Sequence, residues 1–405
     1  MKNRSRKRGA GQWVRAGAMI LSAAVLVLFG TGLWRGTKMP ETFRVSGSGT
    51  FRLNGGWWTV TPAASPGTDC SGELKLLSIP IKEVAVMPVK RSTVTLGGTP
   101  FGLKLYTAGA LIVGLVDVDG ASGVCCPASQ AGLQVGDVIR AINGTPIQNN
   151  SDAALQIQKS SGNAISVEYE RDGTHRTVQL VPQRSVASGA YKAGLWIKDS
   201  CAGIGTLTYV TDDGVFAGLG HGITDPDTEA LMPVQYGEIV PVRLVGVIRG
   251  ARGAPGELKG YFASDDVQGV LHLNTAAGVY GQFRAQPVGQ RIELALKQEV
   301  CRGEAQLWTT VTGDTPRAYA IRIERICYDN AHTQNMVIHV TDPDLLRETG
   351  GIVQGLSGSP ILQNGRLVGA VTHVFVNDPT RGYAIFAENM QTESALITAQ
   401  LQSAA

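Results

Sequence analysis

Ser357 stands in the hexapeptide GLSGSP at 355–360, with Gly355 two residues before it and Gly358 directly after it. Glycines at these positions let the backbone turn tightly and let another chain approach closely. The amide N–H groups of Gly355 and Ser357 can then face one small space, where they would hold an oxyanion. A serine hydroxyl is a weak nucleophile until a neighbouring base takes its proton. A plain Gly/Ser-rich hairpin loop has the same composition, so the two readings stand level until partners are found. Ser359 offers a second hydroxyl, but the Gly-x-Ser-Gly pattern favours Ser357.

A base is available in His221, which directly follows the apolar run at 215–219 and has Gly220 and Gly222 on either side. Small neighbours leave an imidazole room to reach across a cleft. His221 precedes Ser357 by 136 residues. That His-then-Ser order is the one found in chymotrypsin-like enzymes. His272, His332, His339 and His373 compete for the role, and His373 is the serious rival because it closely follows the Ser357 hairpin. Its place inside the alternating run 371–376 favours a pocket wall. A third group should be an acid that fixes the imidazole tautomer. Asp342 offers one, and Asp225 is the alternative. Asp342 is followed by Pro343 and an apolar stretch, which equally describes a helix N-cap with proline at the first helical position. The six cysteines show no metal-ligand spacing, and no metal or organic cofactor is expected. In an exported chain they permit disulfides.

The elements that must position these residues read as strands. The chain has 405 residues, 51 of them glycine, and its apolar runs are short. Such a composition favours many short strands joined by tight turns over long helices. Residues 184–405 carry strand-like segments throughout, and two six-stranded barrels would fit that length. Ahead of them, residues 96–183 hold strands, a short helix at 152–160, and turn signals at Asn143-Gly144 and Asp172-Gly173.

The N-terminus differs in character. Residues 1–40 hold eight Lys or Arg and no acid, and the remainder carries a net charge of −5. The basic excess is therefore a tail feature, which argues against a nucleic-acid surface. Residues 1–15 form the basic tail, and the uncharged run 16–34 would span about 28 Å as a helix, close to bilayer thickness. The positive flank should stay in the cytoplasm, which places the later residues outside it. A cleaved signal peptide competes, but no Ala-x-Ala site follows the run. Residues 35–95 read as a juxtamembrane linker with short strands.

The string SQAGLQVGDVIRAINGTPI at 129–147 resembles a PDZ domain. PDZ domains capture an extended peptide or chain terminus by strand addition. On that resemblance Phe101, Gly102 and Leu103 are the candidate carboxylate-binding loop. His221 in GLGHGITD, Asp342 in VTDPDLL and Ser357 in GGIVQGLSGSPILQNGRLVGAVTHVFVNDPTRGYAIF together resemble the stage IV sporulation protein B peptidases. The resemblance implies a mainly β protein with a membrane anchor, a PDZ domain and a chymotrypsin-like double β-barrel. It implies a serine endopeptidase with Ser357 as nucleophile, His221 as base and Asp342 as orienting acid. It also implies a role in endospore formation, in the space between forespore and mother-cell membranes. There the enzyme would cleave a membrane-associated regulatory protein and itself. An inactive PDZ scaffold that binds membrane-protein partners is the alternative.

Overall fold

A computed structural model describes residues 6–37, 39–46, 51–53, 58–62, 70–285, 288–328 and 333–404. The chain begins with a helix, Arg6–Thr37. Its stretch Arg15–Trp34 is long and apolar enough to cross a membrane, and none of that stretch is buried in the protein. An uncharged run with no proline gives nothing to stop the helix short of bilayer thickness.

Two compact units follow from the contacts. The first contains a five-stranded sheet built from Thr42–Val45, Phe51–Leu53, Trp58–Pro62, Cys70–Leu76 and Ile79–Pro88. Leu77 and Ser78 turn the last hairpin with φ of 50° and 73°. Alternate residues of these strands, among them Phe43, Val60, Leu74, Val84 and Val86, form a core of their own. The expected linker at 35–95 is therefore a folded sheet. Distant sequence joins it, since residues 296–302 and 326–328 belong to the same unit. The Arg91 guanidinium forks onto the Glu299 carboxylate at 2.8 and 2.7 Å.

The second unit holds everything between and beyond those segments. Six of its strands close a barrel, each paired antiparallel with the next: Leu195–Val210, Val215–Gly218, Gly278–Phe283, Gly269–Thr275, Tyr236–Ile248 and Pro100–Leu115, which returns to the first. Phe101, Leu105, Phe216, Ile239 and Val279 fill it. Burying each such side chain is worth about 1.5–3 kcal/mol. A second set contains Gly303–Thr309, Arg317–Ile326, Met336–Val340, Pro360–Gln363, Arg366–Phe375 and Asp378–Phe386. The C-terminal helix Ala387–Ala404 packs Met390 and Ile397 into a core shared with Tyr209, Leu367 and Ile385. Asn364 (φ 53°) and Gly365 (φ 73°) make the two-residue turn between Pro360–Gln363 and Arg366–Phe375.

The PDZ-like part has its own core, including Ile112, Leu133, Ile139, Ile142 and Ile165. Its helix Asn150–Lys159 is capped by Asn149, whose side chain accepts from the Asp152 amide at 2.9 Å. The long strands Pro100–Leu115 and Leu195–Val210 run from this part into the barrel. Residues 93–106 thus belong to the peptidase sheets, although the sequence boundary at 96 assigns most of them to the PDZ domain. Cys125, Cys126, Cys201 and Cys327 are free thiols.

Candidate active site

The nucleophile turn is shaped by two glycines in the left-handed region, Gly355 (φ 95°) and Gly358 (φ 91°). A Cβ at 358 would stand 2.1 Å from the Thr206 carbonyl oxygen, so the position excludes side chains on space as well as on conformation. Both constraints explain the Gly-x-Ser-Gly spacing. Ser357 is half-buried, and its hydroxyl donates to the Thr372 carbonyl at 2.8 Å. Ser359 is fully buried and donates to Thr309 Oγ1 at 2.8 Å, which removes it from any substrate. Gly355 N–H and Ser357 N–H have no intramolecular acceptor among the described residues. Two unspent amides on either side of one residue are what an oxyanion requires.

His221 reaches this turn from a strained segment. Leu219 is a buried non-glycine residue with φ 63°, and Gly220 follows at 68°. Strain of this kind persists only where the surroundings over-determine it. Here the segment packs against the nucleophile turn, since a Cβ at 358 would lie 2.5 Å from the Leu219 nitrogen. His221 Nδ1 lies 2.8 Å from the Gly222 carbonyl oxygen. A carbonyl only accepts, so Nδ1 carries the proton and Nε2 is left as the acceptor, the tautomer a general base needs. Burial pushes the imidazole below its ordinary value of 6.5, and the Gly222 bond pulls part of that back.

His373 stands beside it, with ring centroids 4.7 Å apart and planes tilted by 36°. His373 is exposed. Desolvation, and next to it the His221 ring, push it down to about 4. The residue before it, Thr372, takes the Ser357 hydroxyl. Both histidines and the serine therefore converge. Of the competing imidazoles, His272 is exposed and His339 pairs with Glu324 at 3.2 Å, while His332 lies outside the described residues.

The two candidate acids are bonded to other groups. Asp342 caps the helix Pro343–Thr349, with Oδ1 accepting from Asp344 N (3.0 Å) and Leu345 N (3.1 Å) and Oδ2 from Ala320 N (3.0 Å). Partial burial opposes its charge, but the three amides and Arg317 outweigh it and hold the carboxyl below its usual range. Asp225 is buried, accepts from Asp227 N and Thr228 N at 3.0 Å each, and pairs with Lys198 at 2.9 Å. Neither carboxylate has an imidazole among its described partners. The Gly222 carbonyl occupies the position an orienting acid would take.

The expected carboxylate loop at Phe101, Gly102 and Leu103 requires correction. These residues lie mid-strand, paired with Gly205, Ile204 and Gly203 on one edge and with Pro241, Val240 and Ile239 on the other. Phe101 and Leu103 are buried in the barrel core. A strand with two partners has no free amides for a terminal carboxylate. Further along, residues 111–115 pair with Lys198, Ile197, Trp196 and Leu195.

Two residues at the site escaped sequence reasoning, Thr206 and Thr208. Thr206 N donates to the Ser357 carbonyl at 3.0 Å, and Thr206 Oγ1 to the Gly355 carbonyl at 2.7 Å. Thr208 Oγ1 donates to the Gly358 carbonyl at 2.7 Å. Two hydroxyls at i and i+2 on a buried strand were the available signal, because a polar row in a core needs partners.

Residues 118–181 match a model of the PDZ domain. The zinc metalloprotease RasP of Shouchella clausii is 38% identical over 72 residues, 18% of this chain and 16% of that protein. A putative zinc metalloprotease of Lactococcus lactis is 33% identical over 69 residues, 17% and 16% of the two chains. The chain thus spans about a sixth of these curated relatives. The PDZ domain of an SdrC-like protein from Listeria monocytogenes covers 22% of this chain and 87% of its own, at 16% identity and a TM-score of 0.19. Residues 189–391, about half of the chain, match the SpoIVB peptidase S55 model, and the chain belongs to the SpoIVB peptidase S55 family.

Proposed function

We propose that this serine peptidase is an endopeptidase held to a membrane by its N-terminal helix, with Ser357 as nucleophile and His221 as base. The observation that carries the reading is the convergence of His221, Ser357 and the two unspent amides of Gly355 and Ser357. In the resting site the Ser357 hydroxyl faces Thr372 O. For reaction it turns to His221 Nε2, which takes its proton as Oγ attacks the peptide carbonyl. The oxyanion settles on the Gly355 and Ser357 amides. His221 returns the proton to the leaving amine, and water then hydrolyses the acyl-enzyme. Gly222 O holds the imidazole tautomer. Asp342 acts on the site at one remove, by capping the helix that leads into the nucleophile turn.

Family membership supports a setting in endospore formation, with the catalytic unit outside the cytoplasm between the forespore and mother-cell membranes. A membrane-associated regulator is the proposed substrate, and self-cleavage the proposed second reaction. A fluorophosphonate probe followed by peptide mapping tests the chemistry. Labelling at Ser357, lost in Ser357→Ala, is the expected result. An inactive scaffold is favoured by one observation, the resting bond from Ser357 to Thr372 O. Folded wild-type protein that takes no label would establish that reading instead.

A further inference from the structure

We infer that Thr206 is a positioning residue of the peptidase reaction, pinning the oxyanion loop by its side chain. The inference rests on the serine-peptidase reading above and adds a residue to it. Each peptide between residues 354 and 358 is held by its carbonyl. Gln354 O accepts from Leu258 N at 2.9 Å, and Leu356 O from Ser359 N at 2.9 Å. Because a peptide is planar and trans, fixing those two carbonyls aims the Gly355 and Ser357 N–H groups the opposite way. The other two peptides, one between these and one after them, are held by Thr206: Oγ1 to Gly355 O at 2.7 Å, and the backbone N–H to Ser357 O at 3.0 Å.

Among the described residues, the Thr206 hydroxyl is the one side-chain donor to the 354–357 carbonyls. The others are backbone bonds that any residue would supply. It acts at the weakest point of the loop. Gly355 has the widest conformational freedom there. Without the hydroxyl, the Gly355 carbonyl would lack its acceptor bond in a partly buried place and would gain by turning toward solvent. That turn swings the adjoining peptides and misaims the amide that must meet the developing charge. Thr206 itself is 1% exposed and touches no substrate, so its effect runs through the loop.

The test is the reaction with a fluorophosphonate in detergent-solubilised full-length protein. Ser357 Oγ forms a bond to phosphorus, fluoride leaves, and the proton passes to His221. The phosphoryl oxygen occupies the oxyanion site. Saturation kinetics separate the limiting rate from probe affinity. Thr206→Val is expected to lower the limiting rate roughly 10- to 100-fold, the cost of misplacing or losing an oxyanion donor. Probe affinity should stay within about threefold, since ground-state contacts are untouched. Thr206→Ser keeps the hydroxyl and should restore the rate. A merely structural role would lower the melting temperature and leave the limiting rate of the folded fraction unchanged, and that outcome overturns the inference. So does a slow Thr206→Ser variant. Should Thr206→Val not fold, Thr206→Ala loses the same hydroxyl without added bulk and is read the same way. Labelling that survives Ser357→Ala would instead sink the underlying serine reading.

Discussion

Two imidazoles lie at Ser357, and the pH dependence of acylation decides which one is the base. A base works in its neutral form, so the labelling rate rises with pH as the working histidine loses its proton. Burial places the His221 transition below 6.5, whereas His373 sits at about 4. At pH 6.5, His373 is then protonated in roughly one molecule in 300, by the 2.5 units between the two values. At that pH and above it is a neutral neighbour of His221. Two charged rings 4.7 Å apart would repel by about 3 kcal/mol at an effective dielectric of 20, so the doubly protonated pair is avoided. His373→Asn should therefore leave the limb of the labelling profile close to its wild-type position and change it only toward pH 4. His221→Asn should remove labelling across the whole range. Because the rings titrate as a pair, the profile must be compared between variants and not read as one residue's constant. The reasoning is refuted if His373→Asn abolishes labelling while His221→Asn is mild.

The carboxylates are separated by a paired substitution. Asp342→Asn loses the Ala320 bond and weakens a helix cap, so unfolding should show a loss of about 1 kcal/mol with the labelling profile unmoved. A roughly 10⁴-fold slower rate in folded Asp342→Asn, with Asp225→Asn near wild type, would restore Asp342 as the orienting acid. The Asp342 carboxyl is held below its usual range, so its stabilisation is present above the unfolded value of 3.8 and is lost as pH falls through the lower folded value. Acid titration of Asp342→Asn should accordingly lack that part of the wild-type stability loss. Ser359→Ala should label at the wild-type rate while costing about 1 kcal/mol, read by denaturant unfolding, for its bond to Thr309. Replacing residues 118–192 by a short glycine-serine turn should keep Ser357 reactive, because Val116 N–H already meets Gly194 O at 3.0 Å. Removing 96–182 should leave no labelled protein, because it takes Pro100–Leu115 out of the barrel wall; equal labelling of both deletions would contradict the shared-strand architecture.

What the sequence made legible was local. Turns declared themselves wherever a residue type answers to one backbone conformation: Asn143-Gly144, Asp172-Gly173 and Asn364-Gly365 all adopt paired positive φ values. The nucleophile turn was legible for the same reason, as was the helix cap at Asp342. What failed was anything that depends on which strand lies beside which. Phe101, Gly102 and Leu103 have the composition of a loop or a strand edge, and only the register of two distant strands buries them. The sheet at 42–88 looked like a linker because several of its strands are short and the unit takes in segments some 200 residues away.

The same limit hid the support of the active site. Thr206 lies within the strand Leu195–Val210, and nothing in its neighbours marks it out. Its meaning comes from residues 149 positions away in sequence. Leu195 and Ile197 pack against the PDZ core at one end of that strand, and Thr206 and Thr208 bond the oxyanion turn at the other. A 16-residue strand spans about 50 Å at most and resists bending where it is paired on both sides. The catalytic loop is therefore as rigid as the hydrogen bonding along Leu195–Val210 makes it. On the proposed mechanism, the chemistry at Ser357 depends on residues that no catalytic motif contains.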